Sequence, residues 1–243
     1  MKIIKLDAID STNSFLKELG KNSVLENFTV AVTSNQTNGR GQQQNTWASK
    51  PFKNLTFSVF TRFKNLGIHQ KKHLNFAISL GIFDAISTEN LPKLSIKWPN
   101  DILSENKKLC GILIENSIKG SKINSSVIGI GLNVNQIEFP DHIKSVSSLK
   151  KETEKEYDLD PLLSKIISKI KERITLLNDK QFQHLENDYL NVLYKKNIPT
   201  MFKDSNNVLF MGMISGVSKE GRLQITLEDD LIKEFDIKEV AIL

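Results

Sequence analysis

At 243 residues, 39% hydrophobic and 25% charged, the chain has the composition of a folded globular protein and the length for one substantial core, or for a large domain with a small companion. It holds no low-complexity tract and no apolar stretch long enough to span a bilayer, and its single cysteine, Cys110, excludes an internal disulfide framework and a multi-thiol metal site. The net charge of +5 is unevenly spread: residues 219–243 carry four Lys/Arg against seven Asp/Glu, so the positive surplus lies in the N-terminal part, where it suits a nucleotide, an acidic protein or a nucleic acid equally.

The opening "MKIIKLDAID" meets an acid by Asp7 and has neither an apolar signal core nor a small-residue cleavage pattern, so a cytoplasmic protein is expected. "KIIKLDAI" reads as a strand. "DSTNSFLKELGK" follows as a short helix, with Ser11 or Thr12 at its N-cap, Phe15, Leu16 and Leu19 on one face, and Gly20 as its stop. "FTVAVTS" is a second strand. Residues 35–50, "NQTNGRGQQQNTWASK", offer one large apolar side chain, Trp47, and form a long polar loop of a length that suggests function. In "NLTFSVFTRF", Leu55, Phe57, Val59 and Phe63 alternate with Thr56, Ser58 and Arg62, as on a strand with one buried face. A helix is predicted over 70–87, then strands at "LSIKW", "LCGILIE" and "SSVIGIGLNVN". "DPLLSKIISKIKERITLL" spaces Leu162, Ile166, Ile170 and Ile174 as a helix does after Pro161 near its start, and a second helix continues through Leu185, Tyr189 and Val192. After Pro199 short alternating runs separated by Gly and acidic turns predict a small all-β module. The expected division is therefore 1–194 and 195–243.

Strand parity makes a definite statement about "VIGIGLNVN". Ile128, Ile130, Leu132 and Val134 point one way, and Gly129, Gly131, Asn133 and Asn135 the other. One face is core; the other is bare backbone on which a ligand or a helix can lie. "NGRG" sets Arg40 between Gly39 and Gly41, where backbone N–H groups and a guanidinium can converge on an anion. Trp47 serves as a hydrophobic peg, either over a ligand or as an anchor to the body. In "KWPND", Pro99 restricts Trp98, and Asn100-Asp101 favours a sharp turn, leaving Lys97 and Lys108 to flank a strand connection. Cys110 reads as a small buried hydrophobe. His69 and His73 read as solvated residues at a helix start, without the acid that a metal pair of this spacing needs.

Together "DSTN" at 10–13, "QTNGRG" at 36–41 with Trp47, "KWPND" at 97–101, "KKLCGILIE" at 107–115 and "GIGLNVN" at 129–135 resemble, in order and spacing, the biotin protein ligases. The resemblance implies an α+β fold: a catalytic domain related to class II aminoacyl-tRNA synthetases, with a mixed sheet flanked by helices, and a small C-terminal SH3-like β-barrel. It implies an ATP-dependent enzyme that uses Mg²⁺ to convert biotin to biotinyl-adenylate, then transfers the biotin to a lysine of the biotin carboxyl carrier domain of a carboxylase. By position in the motifs, Lys108, Arg40 and Asp101 are the catalytic candidates. Ser11, Thr12, Asn13, Gln36, Gly39, Arg40, Gly41, Lys108, Gly111, Gly129 and Gly131 are candidates for biotin. Arg40, Trp47, Lys97, Asn100, Lys108 and Asn133 are candidates for the nucleotide, with Asn133 near the adenine. No metal ligand is assigned.

Two departures from the family pattern matter. The usual loop reads Gly-Arg-Gly-Arg-x-Gly-Arg-x-Trp, whereas Gln42, Gln44 and Asn45 here stand for an arginine, a glycine and an arginine. The chain also enters its first strand within a few residues, without the winged helix-turn-helix of repressor-type relatives, so no specific DNA binding is expected. No membrane association is expected either, and both monomer and homodimer stay open. A lipoate or octanoate ligase or transferase of the same fold, a non-catalytic biotin-binding module, and a nucleic-acid binder suggested by the pI of 9.1 are the alternatives.

Overall fold

The computed structural model describes residues 2–42, 45–141 and 143–243. The first strand, β1 (Ile3–Ile9), crosses through α1 (Thr12–Asn22) to a parallel neighbour, β2 (Thr29–Gln36). After the 37–54 loop come β3 (Leu55–Gly67), α2 (Lys71–Ile86), β4 (Leu94–Lys97), β5 (Asp101–Ser104), β6 (Lys107–Lys119) and β7 (Lys122–Leu132). These strands form one mixed sheet of seven, ordered β1-β2-β3-β7-β6-β5-β4, antiparallel except for the β1–β2 pair. Helices α3 (Leu149–Thr153), α4 (Leu159–Asn178) and α5 (Phe182–Asn191) follow. A second, antiparallel sheet then uses β8 (Thr200–Asp204), β9 (Leu209–Val217), β10 (Leu223–Thr226), β11 (Ile232–Phe235) and β12 (Val240–Ile242), ordered β11-β10-β9-β8-β12. Among the described residues no helix is long and apolar enough to cross a membrane.

The two faces of the large sheet have different tasks, and period-two alternation decides which residue serves which. Val30, Phe57, Val59, Ile112, Ile128 and Ile130 point into the main core with α2 and α4, and all are at most 2% exposed. The opposite parity supplies Ala31, Phe60 and Val127, which pack with Leu16 of α1 in a smaller cluster. On that second face β3, β7 and β6 set Thr56, Gly131 and Gly111 in one row, and Ser58, Gly129 and Leu113 in the next. The apolar packing of α1 thus stops where small and polar residues begin, leaving a hollow beside the helix.

Several elements differ from the sequence reading. Ser11 is the N-cap, accepting from the Ser14 amide, but α1 runs on through Gly20 to Asn22 and ends where the Ser23 amide and hydroxyl both donate to the Leu19 carbonyl. Gly20 faces Leu25 at ordinary contact distance, so it interrupts nothing. Strand β5 completes a hairpin with β4 around residues 98–100, and α3, β8 and β12 are further short elements that the pattern did not single out. His73 is not solvated: its ring packs 4.7 Å from that of Phe182 and its side chain is 13% exposed.

Helix α2 is buried on nearly all sides, which requires close approach to α4. A Cβ on Gly81 would stand 2.7 Å from the Ile170 Cα and 2.9 Å from its amide nitrogen, backbone atoms that cannot rotate away. In α1, a Cβ on Gly20 would meet only the Leu25 Cδ1, at 3.4 Å. Helix propensity favours alanine over glycine by about 1 kcal/mol at both positions, and overpacking costs about 1–3 kcal/mol at the first alone. Urea denaturation is therefore expected to show Gly20→Ala more stable than wild type by about 0.5–1 kcal/mol, and Gly81→Ala less stable by up to about 2 kcal/mol.

Candidate active site

The hollow on the second face of the sheet is a cavity of about 230 Å³. Its floor is the bare backbone of β6 and β7, and the approach to that backbone is close. A Cβ on Gly131 would fall 2.2 Å from the Trp47 Cε2, and one on Gly129 would fall 2.5 Å from the Asn13 Oδ1. The glycines thus let one side chain from α1 and one from the 37–54 loop settle directly on the sheet. Gly111 pairs with Gly131 from the neighbouring strand, with Trp47 and the Lys108 side chain both just over 3 Å from where its Cβ would be.

One wall is a buried polar chain. The Thr12 backbone N–H (3.0 Å) and hydroxyl (3.3 Å) both donate to Gln36 Oε1, and the same hydroxyl shares a 2.7 Å hydrogen bond with Ser58. Ser58 donates to Asn13 Oδ1, and Asn13 Nδ2 donates to Glu115 Oε2 at 2.9 Å. Ser11, Thr12, Asn13 and Ser58 are all under 5% exposed. This network fixes rotamers and leaves a rigid array of donors and acceptors at the cavity's edge.

The loop is clasped rather than open. Thr46 bridges Arg40, the Trp47 amide donates to the Gly39 carbonyl, and Gly41 and Gln42 exchange hydrogen bonds with Asn45. This holds the Arg40 guanidinium at the mouth, where its Nη2 donates to Glu115 Oε2 at 3.0 Å. Across the cavity, Lys108 Nζ stands 2.7 Å from Asp101 Oδ1 and 5.7 Å from the centre of the Trp47 ring. The pairing with Asp101 lies off the line of a hydrogen bond, for that oxygen has no hydrogen-bond partner among the described residues; nor does the buried indole N–H of Trp47.

Of the residues singled out from sequence, the cavity gathers Ser11, Thr12, Asn13, Gln36, Arg40, Gly41, Trp47, Asn100, Asp101, Lys108, Gly111, Gly129 and Gly131. Gly39 lies just outside, tight against the Trp47 carbonyl and the Gln36 amide. Lys97, paired in register with Asp101 on the outer strand β4, does not line it. Nor does Asn133: it lies one residue past the end of β7, and its side-chain amide donates to the Ser147 carbonyl at 3.0 Å in a buried tie. Gln42 and Asn45 line the cavity, while Gln44 lies outside the described residues. Cys110 is fully buried, and burial pushes its thiol far above the ordinary range.

Sequence reasoning missed Ser58 and Glu115, although parity could have found both: Ser58 alternates with the buried face of β3, and Glu115 follows Gly111 at i+4. It also missed Ile237 and Lys238, which reach the cavity from the β11–β12 connection more than a hundred residues later. No local pattern carries that signal.

Three comparisons bear on this site. The profile of the biotin/lipoate A/B protein ligase family matches residues 6–133, the stretch that supplies every cavity residue except Ile237 and Lys238. The chain is 33% identical over 148 residues to the bifunctional ligase/repressor BirA of Bacillus spizizenii (60% of this chain, 45% of that protein). It is 32% identical over 127 residues to the biotin–[acetyl-CoA-carboxylase] ligase of Paracoccus denitrificans (51% of each). It therefore spans about half the length of the curated relatives it matches. The solved biotin protein ligase from Aquifex aeolicus in complex with biotin and ATP aligns with a TM-score of 0.81 at 28% identity, over 100% of this chain and 98% of that one.

Glu115 gives the site a measurable acid response. Burial raises its pKa, but hydrogen bonds from Lys17 and Asn13 and the charge of Arg40 more than offset this and hold the carboxyl below the usual glutamate range. A depressed native pKa stabilises the fold above the unfolded value, about 4.3, and that contribution is lost as pH falls through the native value. Denaturation midpoints measured from pH 6 down to pH 3 are expected to fall less steeply in Glu115→Gln than in wild type.

Proposed function

The chain belongs to the biotin/lipoate A/B protein ligase family, and from that premise we propose that it is an ATP-dependent biotin–protein ligase acting on a lysine of a biotin carboxyl carrier domain. The observation that carries this reading is the pairing within one cavity of a buried hydrogen-bonding wall, Thr12 with Gln36, and an ammonium group, Lys108, held beside an aromatic face and a carboxylate. Biotin has the matching ends: a ureido ring with two donors and one acceptor, and a carboxylate. The dithiolane ring of lipoate offers no such donors, and a wall built to hydrogen-bond discriminates against a ligand that leaves it unpaired.

In the first step a biotin carboxylate oxygen attacks the α-phosphorus of ATP, a P–O bond forms, and the bond to the bridging oxygen breaks to release pyrophosphate. Both reactants are anions, so catalysis consists mostly of positioning and of offsetting their repulsion. Lys108 and Arg40 supply that positive charge. The Trp47 indole N–H, buried and without a partner among the described residues, is one further donor beside the cavity. Asn100, whose amide donates to the Ile112 carbonyl at 2.6 Å, keeps the 98–100 turn against β6 and so holds Asp101 opposite Gly111.

In the second step the neutral amine of the acceptor lysine attacks the acyl carbon, the amide bond forms, AMP leaves with the C–O electron pair, and the amine gives up a proton. Asp101 is the acceptor the reading assigns to that amine. It is ion-paired with Lys108, and a substrate anion that draws Lys108 away leaves it available. No group of three His, Cys, Asp or Glu side chains that could hold a metal occurs among the described residues. Mg²⁺ commonly keeps its waters and binds phosphates with one or two carboxylates, so these residues fit an ion that arrives on the triphosphate and neutralises its charge.

The finer architecture is part of the same proposal. A division into 1–194 and 195–243 is supported by the large sheet and its helices ending at Asn191 and the second sheet starting at Thr200. The relation of the first part to class II synthetases, and the SH3-like character of the second, rest on the family resemblance and on strand number and order.

Incubation with ATP, Mg²⁺, biotin and a carrier domain, followed by intact mass measurement, is expected to show the carrier heavier by one biotin only when ATP is present. Lys108→Ala is expected to slow biotin-dependent ATP–pyrophosphate exchange about 10²–10³-fold, in line with the loss of a charge-stabilising group. An unmodified carrier together with no biotin-dependent exchange in wild type would overturn the reading. Gln42→Arg restores a cation at the cavity wall, and a charged hydrogen bond contributes about 1.5–3 kcal/mol. Dissociation of the adenylate is accordingly expected to be about tenfold slower or more in that variant, and equal off-rates would refute a role for Gln42 in adenylate escape.

A further inference from the structure

Glu115 stands where two functional groups meet. Its Oε2 accepts from Arg40 Nη2 at 3.0 Å and from Asn13 Nδ2 at 2.9 Å, while its Oε1 is 3.0 Å from Lys17 Nζ. Glu115 is the fixed member of the cluster: its side chain is 22% exposed, against 42% for Arg40 and 48% for Lys17. It projects from the middle of β6, a strand paired with β7 along its length, whereas Arg40 projects from a loop. A guanidinium carries five N–H donors, and among the described residues this one donates a single side-chain hydrogen bond, to Glu115. It is therefore anchored by one nitrogen with most of its donor fork left over.

We infer that Glu115 is a positioning residue: it holds Arg40 by one nitrogen at the cavity mouth, beside Asn13, so that the remaining N–H groups meet the anionic end of the bound substrate without first being ordered. The inference rests on the ligase reading and deepens it. Ordering a long, half-exposed side chain costs about 1–2 kcal/mol of rotamer freedom, and an anchor already in place removes most of that cost from the binding step. Glu115 is protected from the consequence of sharing. While Arg40 divides its donors between Glu115 and an anion, Asn13 and Lys17 each satisfy one carboxylate oxygen, so the partly buried charge stays paired.

A double-mutant cycle on biotin-dependent ATP–pyrophosphate exchange tests this, using wild type, Arg40→Ala, Glu115→Gln and the double variant. Glutamine keeps an acceptor for Asn13 and removes the charge that holds Arg40. Glu115→Gln is expected to raise the KM for biotin about tenfold with a smaller change in kcat, and to add less than about twofold in the Arg40→Ala background. Lys17→Met, which removes the partner of the far oxygen, is expected to leave KM near the wild-type value. An unchanged KM in Glu115→Gln, additive effects in the cycle, or a Lys17→Met variant that reproduces the Glu115→Gln effect would each overturn the inference. Should Glu115→Gln fail to fold by thermal melting, Glu115→Asp takes its place in the cycle, since it keeps the charge and withdraws it by one methylene. A wild-type protein without biotin-dependent exchange rejects the ligase reading and this inference with it; a wild-type protein that exchanges, with an additive cycle, rejects the inference alone.

Discussion

The site depends on a stretch of sheet that has no side chains. Where β6 and β7 run side by side, Gly111 faces Gly131 in register and Leu113 faces Gly129, and the missing Cβ atoms are the reason Asn13 and Trp47 can touch main chain. Any Cβ at Gly131 would have to displace the indole. The cost is local: glycine in a strand interior forgoes packing and loses more conformational freedom than any other residue. That cost is offset by the apolar core on the other side of the same strands, where Ile128, Ile130 and Leu132 are essentially inaccessible to solvent. One face holds the fold, and the other is free to be a site.

Given that floor, the charges follow a common pattern. Each cation expected to meet substrate is already paired: Lys108 with Asp101, and Arg40 with Glu115. Partly exposed ion pairs of this kind contribute little to stability, about 0–1 kcal/mol, so releasing Lys108 from Asp101 costs little, while Arg40 has donors to spare beyond the one given to Glu115. The two carboxylates differ in what happens afterwards. Glu115 keeps Lys17 and Asn13, whereas Asp101 Oδ1, without a hydrogen-bond partner among the described residues, loses its ion-pair partner when Lys108 moves. In the proposed reaction Glu115 would then be a satisfied spectator and Asp101 a free carboxylate, the order of events that a two-step acyl transfer needs.

How much of this could be read from residues alone follows from which constraints are local. Alternation in "VIGIGLNVN" separated the core residues from the glycines because parity is a property of the strand itself. Parity carries on to Val134, which joins the same core, but it does not tell what Asn133 meets: its side-chain amide is tied to the Ser147 carbonyl outside the cavity. Gly20 looked like a helix stop, but the helix runs on to Asn22 and is capped at Ser23, whose amide and hydroxyl both reach the Leu19 carbonyl. The large sheet, most of its strands and the helices α1, α2, α4 and α5 were legible from period and spacing. Short elements such as β5, α3, β8 and β12, at three to five residues each, carry too few repeats for any period to register.

The reach of the second sheet into the cavity has a physical cause that no window of sequence contains. Trp98 sits at the turn that carries Asn100 and Asp101, and its indole N–H donates to the Gly221 carbonyl at 3.1 Å, between β9 and β10. Ile214, Val217, Leu223 and Ile225 of the second sheet belong to the same buried cluster as the helices α2 and α4. The second sheet is therefore packed against the first part of the chain by continuous apolar contact, and the hydrogen bond to Trp98 sets its position relative to the turn. With that position set, the β11–β12 connection brings Ile237 and Lys238 to the same cavity that Asp101 lines. The polar turn at 97–101 thus serves both sheets, because its aromatic residue is bonded to the second sheet and its carboxylate lines the site.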